Sequence, residues 1–437
     1  MNKLLKYATC IFILCACKSP DQVGEEDNHC TGGASVLTID DSNVSAAIKN
    51  KIYNTISGTG VIHTGHPDYN AGGRLVLIPV SFTDVPANPR VTNDVIDQVF
   101  FSTGTGSVRD YFNENSWGQF NITKAGVSNV VNLNRAKSFY STTSVPDYTR
   151  NRDLYRDACQ GSSIDWAIID RNNDRIITPD EALIGLIIAD GGRGAFRGNQ
   201  ISIVYNGETY QIRNRFVTLD CTKSTNPAQG IETFSNNYSN IWHELAHGFF
   251  GLDDLYEDGI AGTGKAGSYD IMDNNNFRLH IGIVAKMKIG WIKPKILLPA
   301  ADRLPAGLKC FTISNSEAHP MAVVLYHSGA PDECFIIENK SISGSVRNFN
   351  SQLPSEGLAI WWLNTSTGSL RLIDASLIAR NSGLRPMEYG TPSPNALFAY
   401  RDGDNPNVPI MLRNQNGQLL FSLRAVSPAG QVMRVEL

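Results

Sequence analysis

His243, Glu244 and His247 belong to the string His-Glu-Leu-Ala-His, in which the two histidines are four residues apart. On an α-helix this spacing places both imidazoles on one face, so that they can bind a single Zn²⁺ ion. Glu244 stands next to the first histidine and can accept a proton from a water molecule at the metal. The string therefore predicts a zinc centre that hydrolyses an amide bond with activated water.

A third metal ligand is expected shortly after this string. Gly251 can end the helix in a left-handed turn and send the chain back, so that an aspartate after it approaches the zinc. Asp253 and Asp254 both follow Gly251. Three protein ligands would leave one position of the metal open, as a catalytic site requires.

The string Gly-Ser-Tyr-Asp-Ile-Met at residues 267–272 resembles the Met-turn that lies below the zinc in metzincins. Met272 would then form an apolar floor under the metal without touching substrate. Tyr269 could donate a hydrogen bond to the oxyanion of the reaction, or it could pack in the core. His280 follows this turn and is expected to be structural.

Together these features resemble the immune inhibitor A-type family of secreted bacterial zinc metalloproteases, with its HExxHxxGxxD region. The resemblance covers about residues 72–375, and segments 75–84, 107–112, 116–118, 286–291 and 334–339 also carry it. It implies a metzincin-like catalytic domain followed by a β domain, and an endopeptidase that acts on proteins or peptides. It also implies that His243, His247 and an aspartate hold the zinc, with Glu244 as catalytic base.

One departure from the family pattern bears on the third ligand. The family has glycine three residues after the second histidine, whereas Gly251 is four residues after His247. An inserted residue would make Asp254 the ligand, while strict spacing would select Asp253. We favour Asp254, because the two residues that follow it also match the family. The second of these, Tyr256, is expected to pack against a ligand or to orient it.

Residues 170–181 fit the twelve-residue calcium loop of the EF-hand. The ligands at its six coordinating positions would be Asp170, Asn172, Asp174, the carbonyl of Ile176, Thr178 through water, and Glu181. The sixth residue, where EF-hands have glycine, is Arg175, which must tolerate a sharp turn. We expect a structural Ca²⁺ ion here, and the alternative is a solvated acidic turn.

The elements that must position these residues can be inferred from apolar patterns. Residues 75–82 and 183–189 are continuous apolar runs, which predict buried strands. Residues 92–101, 108–115 and 239–250 are predicted to be helices. Strands and helices of this kind indicate a mixed sheet with an active-site helix.

The predicted fold class is α+β, with two domains after the N-terminal segments. A zinc metalloprotease domain would occupy residues 72–297. From about residue 294 onward, short strands alternate with turn residues, so residues 298–437 are expected to form an all-β, sandwich-like domain.

The composition excludes several classes of protein. Of the 437 residues, 42% are hydrophobic and the formal net charge is −4, which excludes a disordered chain. Apolar runs of roughly 20 residues, which a polytopic membrane protein needs, do not occur. Lysine and arginine do not cluster, so no nucleic-acid surface is predicted. We expect a monomer.

The N-terminus has the layout of a secretory signal, because Lys3 and Lys6 precede a short apolar run. The run ends in Leu-Cys-Ala-Cys, which resembles the bacterial lipobox. We therefore expect removal of residues 1–16 and a lipid on Cys17, which would attach the protein to the outer membrane or cell surface, with release from the cell as a variant. A plain signal peptide cut nearby is the alternative. Residues 17–71 would be a tether and a possible propeptide.

Export would place the cysteines in an oxidising compartment. Five follow Cys17, and we expect the disulfides Cys159–Cys221 and Cys310–Cys334, each within one predicted domain. The fifth cysteine, Cys30, would be a free thiol.

The alternative to an enzyme is a noncatalytic surface-binding protein that bound metals only stabilise. The intact string at residues 243–247 argues against it. A purely structural zinc site needs no glutamate base and closes its fourth position with another ligand.

Overall fold

The computed structural model describes residues 35–36, 41–42, 44–58, 72–140, 147–189, 194–221, 238–257, 260–297, 309–342, 349–374, 391–394, 396–397, 410–425 and 432–436. Within these ranges the chain forms eight α-helices and three β-sheets. The α+β fold class is confirmed at this level. None of the described helices combines the length and the apolar character needed to cross a membrane.

The described helices, in chain order, are α1 (Ala46–Gly58), α2 (Asn93–Phe101), α3 (Val108–Asn115), α4 (Lys137–Tyr140), α5 (Asp147–Gly161), α6 (Trp166–Ile169), α7 (Tyr238–Phe250) and α8 (Ile283–Ile289). The described strands are β1 (Ser35–Val36), β2 (Gly73–Ser81), β3 (Ile122–Val127), β4 (Val131–Asn132), β5 (Ile176–Ile177), β6 (Leu183–Ile188), β7 (Gly194–Tyr205), β8 (Glu208–Asp220), β9 (Lys295–Leu297), β10 (Lys309–Ser314), β11 (Val323–Tyr326), β12 (Glu333–Lys340), β13 (Gly357–Asn364), β14 (Leu370–Leu372), β15 (Ile410–Arg413), β16 (Leu419–Ala425) and β17 (Val432–Glu436). A short 3₁₀ turn, Gly267–Tyr269, lies between α7 and α8.

Sheet I contains the strands in the order β3-β2-β6-β8-β5, with β4 beside β2 and β7 beside β8. Strand β2 runs parallel to β3, β4 and β6, and β8 runs parallel to β6 and β5, while β7 pairs antiparallel with β8. Side chains of α7 pack on one face of the sheet, and side chains of α5 and α6 pack on the other. Burial on both faces explains the continuous apolar runs of β2 and β6.

Helix α7 lies very close to sheet I. At Gly248 an added Cβ would be 2.7 Å from the side chain of Leu183 and 2.8 Å from that of Val217, so a larger residue would push the helix outward. On its other side, the ring of Trp242 stacks on Tyr111 of α3, with 4.1 Å between the centroids. The helix is therefore fixed by packing along its length.

Sheet II has the order β14-β13-β12-β11-β9, and sheet III has the order β1-β10-β17-β16-β15. Residues of both sheets share one apolar cluster, which includes Phe335 and Trp362 from sheet II and Phe311 and Phe421 from sheet III. The opposite face of sheet II, through residues such as Trp361, joins the apolar cluster that contains α7. The C-terminal half therefore contacts the part of the fold that carries the His-Glu-x-x-His string.

The boundary predicted after residue 297 falls inside a sheet. Strand β9 pairs in parallel with β11, and Lys295 lies opposite Val323. The C-terminal region therefore begins at or before Lys295 in the structure.

The segment predicted as a tether is partly built into the fold. Strand β1 pairs in parallel with β10, so Ser35 and Val36 belong to sheet III. Helix α1 buries Ile52 in the cluster that contains α7, and the hydroxyl of Tyr53 donates to the carbonyl of Pro294 at 3.2 Å. The predicted signal, Cys17 and Cys30 lie outside the described residues.

Both predicted disulfides are wrong. Cys159 and Cys221 are buried and are not joined in a disulfide, and they belong to the apolar clusters on opposite faces of sheet I. Cys334 is also a free, buried thiol, and it belongs to the cluster around α7. A shared domain is too weak a reason to predict a disulfide, because sheet I separates the thiols of Cys159 and Cys221. Burial raises the pKa of the Cys159 thiol, which keeps it protonated and unreactive.

Candidate metal centre

Helix α7 carries the His-Glu-x-x-His string from the core to the surface. The side chain of His243 is 1% exposed and that of His247, one turn later, is 11% exposed. The helix ends at Gly251, which has a left-handed φ of +64° and whose N–H bonds to the carbonyl of His247 at 2.9 Å. This is the reversal that the sequence predicted, and it returns the chain toward the histidines.

Three ligand atoms converge where the chain returns. Oδ1 of Asp254 lies 3.0 Å from Nε2 of His243 and 3.0 Å from Nε2 of His247, and the two Nε2 atoms are 2.9 Å apart. Asp254 is therefore the third member of the cluster, and Asp253 is exposed and does not belong to it. Among the described residues, these are the His, Cys, Asp or Glu side chains that form a group of three with all ligand atoms within 4.8 Å of one another.

The second nitrogen of each imidazole faces a backbone carbonyl. Nδ1 of His243 lies 3.0 Å from the carbonyl oxygen of Ile271, and Nδ1 of His247 lies 2.5 Å from that of Leu252. Because a carbonyl oxygen accepts but cannot donate, each Nδ1 carries the hydrogen. In the neutral rings both Nε2 atoms then present lone pairs. Together with the carboxylate of Asp254 they are three acceptors that face one another, an arrangement that a shared proton or a metal ion would stabilise.

The pKa values of Asp254 and His247 also favour a positive charge in the cluster. Burial alone would raise the pKa of Asp254, but the hydrogen bonds and charges of His243 and His247 outweigh it and hold that pKa well below its usual range. For His247, burial lowers the pKa, whereas Asp254 and Glu244 together raise it above its ordinary value. A proton or a metal ion is therefore stabilised at this position.

Glu244 follows His243 on α7 and does not supply one of the three ligand atoms. The residue is 6% exposed, and its negative charge contributes to raising the pKa values of His247 and Tyr256. It does not belong to the cluster of Asp254 and the two histidines.

Tyr256 contacts two of the three ligands. Its ring lies nearly parallel to that of His243, with centroids 6.1 Å apart. Burial and the carboxylate of Asp254, with which its hydroxyl forms a hydrogen bond, raise the pKa of Tyr256. The hydroxyl therefore keeps its proton and can donate it to the carboxylate of Asp254.

The segment that resembles a Met-turn fixes two of the ligands through its backbone. The carbonyl of Ile271 accepts from His243, and the carbonyl of Met272 accepts the N–H of Leu255, next to Asp254, at 2.9 Å. The Met272 side chain is buried in the cluster around α7. Sequence reasoning missed the residue that follows, Asp273, which is fully buried. An acid directly after the apolar Ile-Met pair is the signal that could have identified it.

Tyr269 is bonded to the C-terminal region. Its hydroxyl lies 2.8 Å from Oγ of Ser355 and 3.2 Å from the carbonyl oxygen of Ser393, and it accepts the N–H of Ala396 at 3.1 Å. The residue is 1% exposed. The predicted oxyanion role is therefore wrong, because a buried hydroxyl with these partners cannot reach a substrate carbonyl. The packing alternative agrees with the structure.

The predicted calcium loop is wound around its first and last acids. The carboxylate of Asp170 accepts the N–H groups of Asp174 and Arg175, at 3.2 and 2.8 Å. The carboxylate of Glu181 accepts the N–H of Thr178 at 3.0 Å. Asp170 and Glu181 are 4% and 5% exposed. The loop therefore has two buried carboxylates at its ends, and each accepts backbone N–H groups of the loop.

The middle of this loop has the turn that the sequence required. Arg175 has a left-handed φ of +63°, which is the conformation that a glycine supplies in EF-hands. Ile176 and Ile177 then form β5 and pair with β8, so the loop is attached to sheet I. Asn172 receives the N–H of Asp174 on its side-chain oxygen at 3.0 Å.

His280 belongs to a buried ionic cluster, as its predicted structural role implies. Nδ1 of His280 bonds to Glu317, and its Nε2 lies 3.1 Å from Oε1 of Glu114. Nζ of Lys340 is 3.1 Å from Oε1 of Glu317, and Nζ of Lys286 is 3.5 Å from Oε2. Burial would raise the pKa of Glu317, but these cations outweigh it and hold the pKa well below the usual range. The cluster joins α3, α8 and sheet II.

Neither a protein-family model nor a curated protein matches this chain. The function of the site is therefore inferred from its own geometry and chemistry. Two features support that function most: the acceptor atoms that converge on one point, and the presence of Glu244 directly after His243 on α7.

Proposed function

We propose that this protein is a zinc-dependent endopeptidase, which hydrolyses peptide bonds in protein or peptide substrates. The observation that supports this best is the convergence of two imidazole nitrogens and one carboxylate oxygen at separations of 2.9 to 3.0 Å. Glu244 directly follows His243 on α7, whereas a structural zinc site needs no glutamate base. The noncatalytic surface-binding protein is therefore the weaker alternative.

The donor set fits Zn²⁺. Nitrogen and oxygen ligands bind zinc at about 2.0–2.1 Å, so a tetrahedral site separates them by roughly 3.3 Å, and the cluster would have to open by roughly 0.3 Å. Two imidazoles with one carboxylate suit zinc, whereas Ca²⁺ and Mg²⁺ prefer sites made of oxygens. Asp254 is the most exposed of the three side chains, at 39%, so the site faces solvent on one side.

The residues of the chain can be assigned roles in hydrolysis. When bound, zinc would polarise the scissile carbonyl and make the attacking water more acidic. Glu244 accepts the proton of that water and returns it to the nitrogen of the departing amine. The N–H bonds to backbone carbonyls fix both imidazoles, and Tyr256 orients Asp254.

The wider architecture supports a more specific proposal. Sheet I with α7 would be a metzincin-like catalytic domain, and sheets II and III would be a sandwich-like C-terminal β domain, in a protein similar to the immune inhibitor A-type family. The shared apolar cluster between sheets II and III supports the second part. The lipid on Cys17 and a place at the cell envelope are proposed from the sequence.

Residues 170–181 are proposed to bind a structural Ca²⁺ ion. The buried carboxylates of Asp170 and Glu181 would be stabilised by a divalent cation. The ion would connect α6, which precedes the loop, to β6, which follows it. Since it would bind the folded chain, its binding would add to the free energy of unfolding.

Metal analysis and casein zymography of Glu244→Gln test the proposed activity. The wild-type protein should contain about one zinc ion per chain and cleave casein, and a chelator should abolish cleavage until zinc is restored. Glu244→Gln should retain its zinc and lose about 10²–10⁴-fold in rate. The matched control is Glu257→Gln, at an exposed glutamate that follows the ligand loop, which should cleave like the wild type.

Two results would decide against the proposal. Cleavage by Glu244→Gln at the wild-type rate would show that Glu244 is not the base. A wild-type protein that binds zinc tightly but cleaves no member of a peptide library would favour the noncatalytic alternative.

A further inference from the structure

The carboxylate of Asp273 gathers the backbone of the segment that precedes the Met-turn. Its Oδ1 accepts the N–H of Gly264 at 3.0 Å, and its Oδ2 accepts those of Ala266 and Gly267 at 2.7 and 2.8 Å. The backbone carbonyl of Asp273 accepts the N–H of Gly262 at 2.7 Å. Hydrogen bonds to a carboxylate are roughly twice as strong as neutral ones, so residues 262–267 are held firmly against the turn.

The segment held in this way lies against the residue next to the third metal ligand. The N–H of Lys265 bonds to the carbonyl of Leu255 at 3.2 Å, and the N–H of Leu255 bonds to the carbonyl of Met272 at 2.9 Å. Both polar groups of the Leu255 backbone are therefore hydrogen-bonded. Lys265, which bonds to its carbonyl, lies between two residues whose N–H groups Asp273 binds, and Met272, which bonds to its N–H, directly precedes Asp273. Asp254 immediately precedes Leu255.

We propose that Asp273 is a positioning residue for the metal site, which acts by fixing Leu255 and through it the carboxylate of Asp254. This inference rests on the proposed zinc site. Asp254 is 39% exposed, against 1% and 11% for the two histidines, so helix packing does not restrain it as it restrains them. A backbone clamp supplies the missing restraint.

The C-terminal region extends the same clamp. The N–H of Leu372, at the end of β14, bonds to the carbonyl of Lys265 at 2.9 Å. Lys265 is thus bonded on one side to Leu255 and on the other to sheet II. The segments that contain Leu255, Lys265 and Leu372 are therefore joined by hydrogen bonds next to Asp254. The side chain of Asp273 binds the N–H groups of the two residues that flank Lys265.

The test measures zinc affinity by competition with a chelator, so that it does not depend on catalysis. Asp273→Asn replaces one accepting oxygen by a donating amide and leaves at least one of the three N–H groups without its partner. We expect zinc binding to weaken by about 10–100-fold, as is usual when an outer partner of a ligand is lost. Circular dichroism at the measuring temperature would verify that the variant is folded.

A second variant acts on the same contact and leaves Asp273 intact. In Gly264→Ala the added Cβ would lie 1.9 Å from the carbonyl oxygen of Leu255 and 2.5 Å from Cα of Tyr256, so Leu255 has to move. Zinc affinity should fall in this variant as well.

A double-mutant cycle distinguishes positioning from general destabilisation. With Asp254→Ala the site retains its two imidazoles, so Asp273→Asn should then weaken zinc binding no further. Asp374→Asn is the control, because Asp374 is also almost fully buried and accepts the N–H of Ser393 at 2.6 Å in the C-terminal region. It should lower the melting temperature and leave zinc affinity unchanged.

The results that would overturn the positioning role of Asp273 differ from those that would overturn the proposed function. Unchanged zinc affinity in Asp273→Asn and Gly264→Ala would overturn the positioning role, as would an equal loss of affinity when Asp254 is already absent. If the wild-type protein binds zinc and cleaves peptides in the same experiments, the proposed function stands. A wild-type protein that binds no zinc would overturn both.

Discussion

Nδ1 of His243 lies 3.0 Å from the carbonyl oxygen of Ile271, so a turn 28 residues later in the chain holds the first histidine of α7. The bond assigns the hydrogen to Nδ1 and leaves Nε2 directed at Asp254, 3.0 Å away. The helical string and the turn are thus parts of one site. Changes at either should be visible as changes in metal binding.

Asp254→Ala should abolish tight zinc binding, whereas Asp253→Ala should not. Asp254 supplies the oxygen next to both imidazoles, and Asp253 is exposed outside the cluster. We expect a loss of more than about 100-fold in affinity for Asp254→Ala, since loss of an outer partner alone costs 10–100-fold. Chelator competition measures both variants side by side. The opposite order of affinities would transfer the ligand role to Asp253.

Removal of calcium should lower the melting temperature of the wild-type protein. An ion at about 100 times its Kd adds roughly 2.7 kcal/mol to the free energy of unfolding, which corresponds to roughly 5–10 °C for a unit of this size. Glu181→Ala, which removes the proposed bidentate ligand, should melt at the same temperature with calcium and with EGTA. Asp180→Asn, at the exposed neighbouring acid, should keep the wild-type response. An EGTA response that survives Glu181→Ala would argue against the loop.

Glu317 should make the protein sensitive to acid. Its pKa is held below the usual range in the folded state, because His280, Lys340 and Lys286 outweigh its burial. The folded state therefore binds this proton less readily than the unfolded state, so the stabilisation is present above about pH 4.3 and is lost as the pH falls below it.

Glu317→Gln tests this dependence in urea unfolding experiments from pH 7 to pH 3. At pH 7 the variant should lose roughly 3–5 kcal/mol, because buried cations remain without their partner. Below about pH 4 its stability should fall less steeply than that of the wild type. Glu208→Gln, at an exposed glutamate, serves as control. Parallel curves for Glu317→Gln and the wild type would exclude Glu317 as the titrating group.

Tyr269→Phe should destabilise the protein without changing the chemical step. Loss of the hydroxyl removes its hydrogen bonds to Ser355 and Ser393 and one of the two acceptors of the Ala396 N–H, which also bonds to the carbonyl of Ser393 at 3.1 Å. The expected cost is about 0.5–1.5 kcal/mol. Thermal unfolding should show this loss, while kcat on a peptide substrate should equal that of the wild type at a temperature where both are folded. A large fall in kcat would restore the oxyanion role that the sequence indicated.

Local pattern predicted much of the helix and strand content. The continuous apolar runs became β2 and β6, and the predicted helices became α2, α3 and α7 within one or two residues at each end. Side chains at the starts of two of these helices explain the accuracy. Thr92 accepts the N–H of Val95, and Ser107 and Asp110 form a capping box. His243, Glu244 and His247 could be assigned because helical spacing alone relates them.

Contacts distant in sequence decided what the pattern could not. The choice between Asp253 and Asp254 depended on how the chain turns after Gly251 and is then held by Met272. The orientation of Tyr269 depended on Ser393, 124 residues away. The cysteine pairs failed for a similar reason, since residues of one domain can lie on opposite faces of a sheet.

Sheet III joins the two ends of the described chain. Strand β10 has β1 as its neighbour on one side and β17 on the other, so residues near 35 and near 436 are one strand apart. Sheet III is therefore completed only when β1, β10 and β17, which are widely separated in the sequence, have met. Pairings between such distant segments are slow steps in folding, so this sheet should form late.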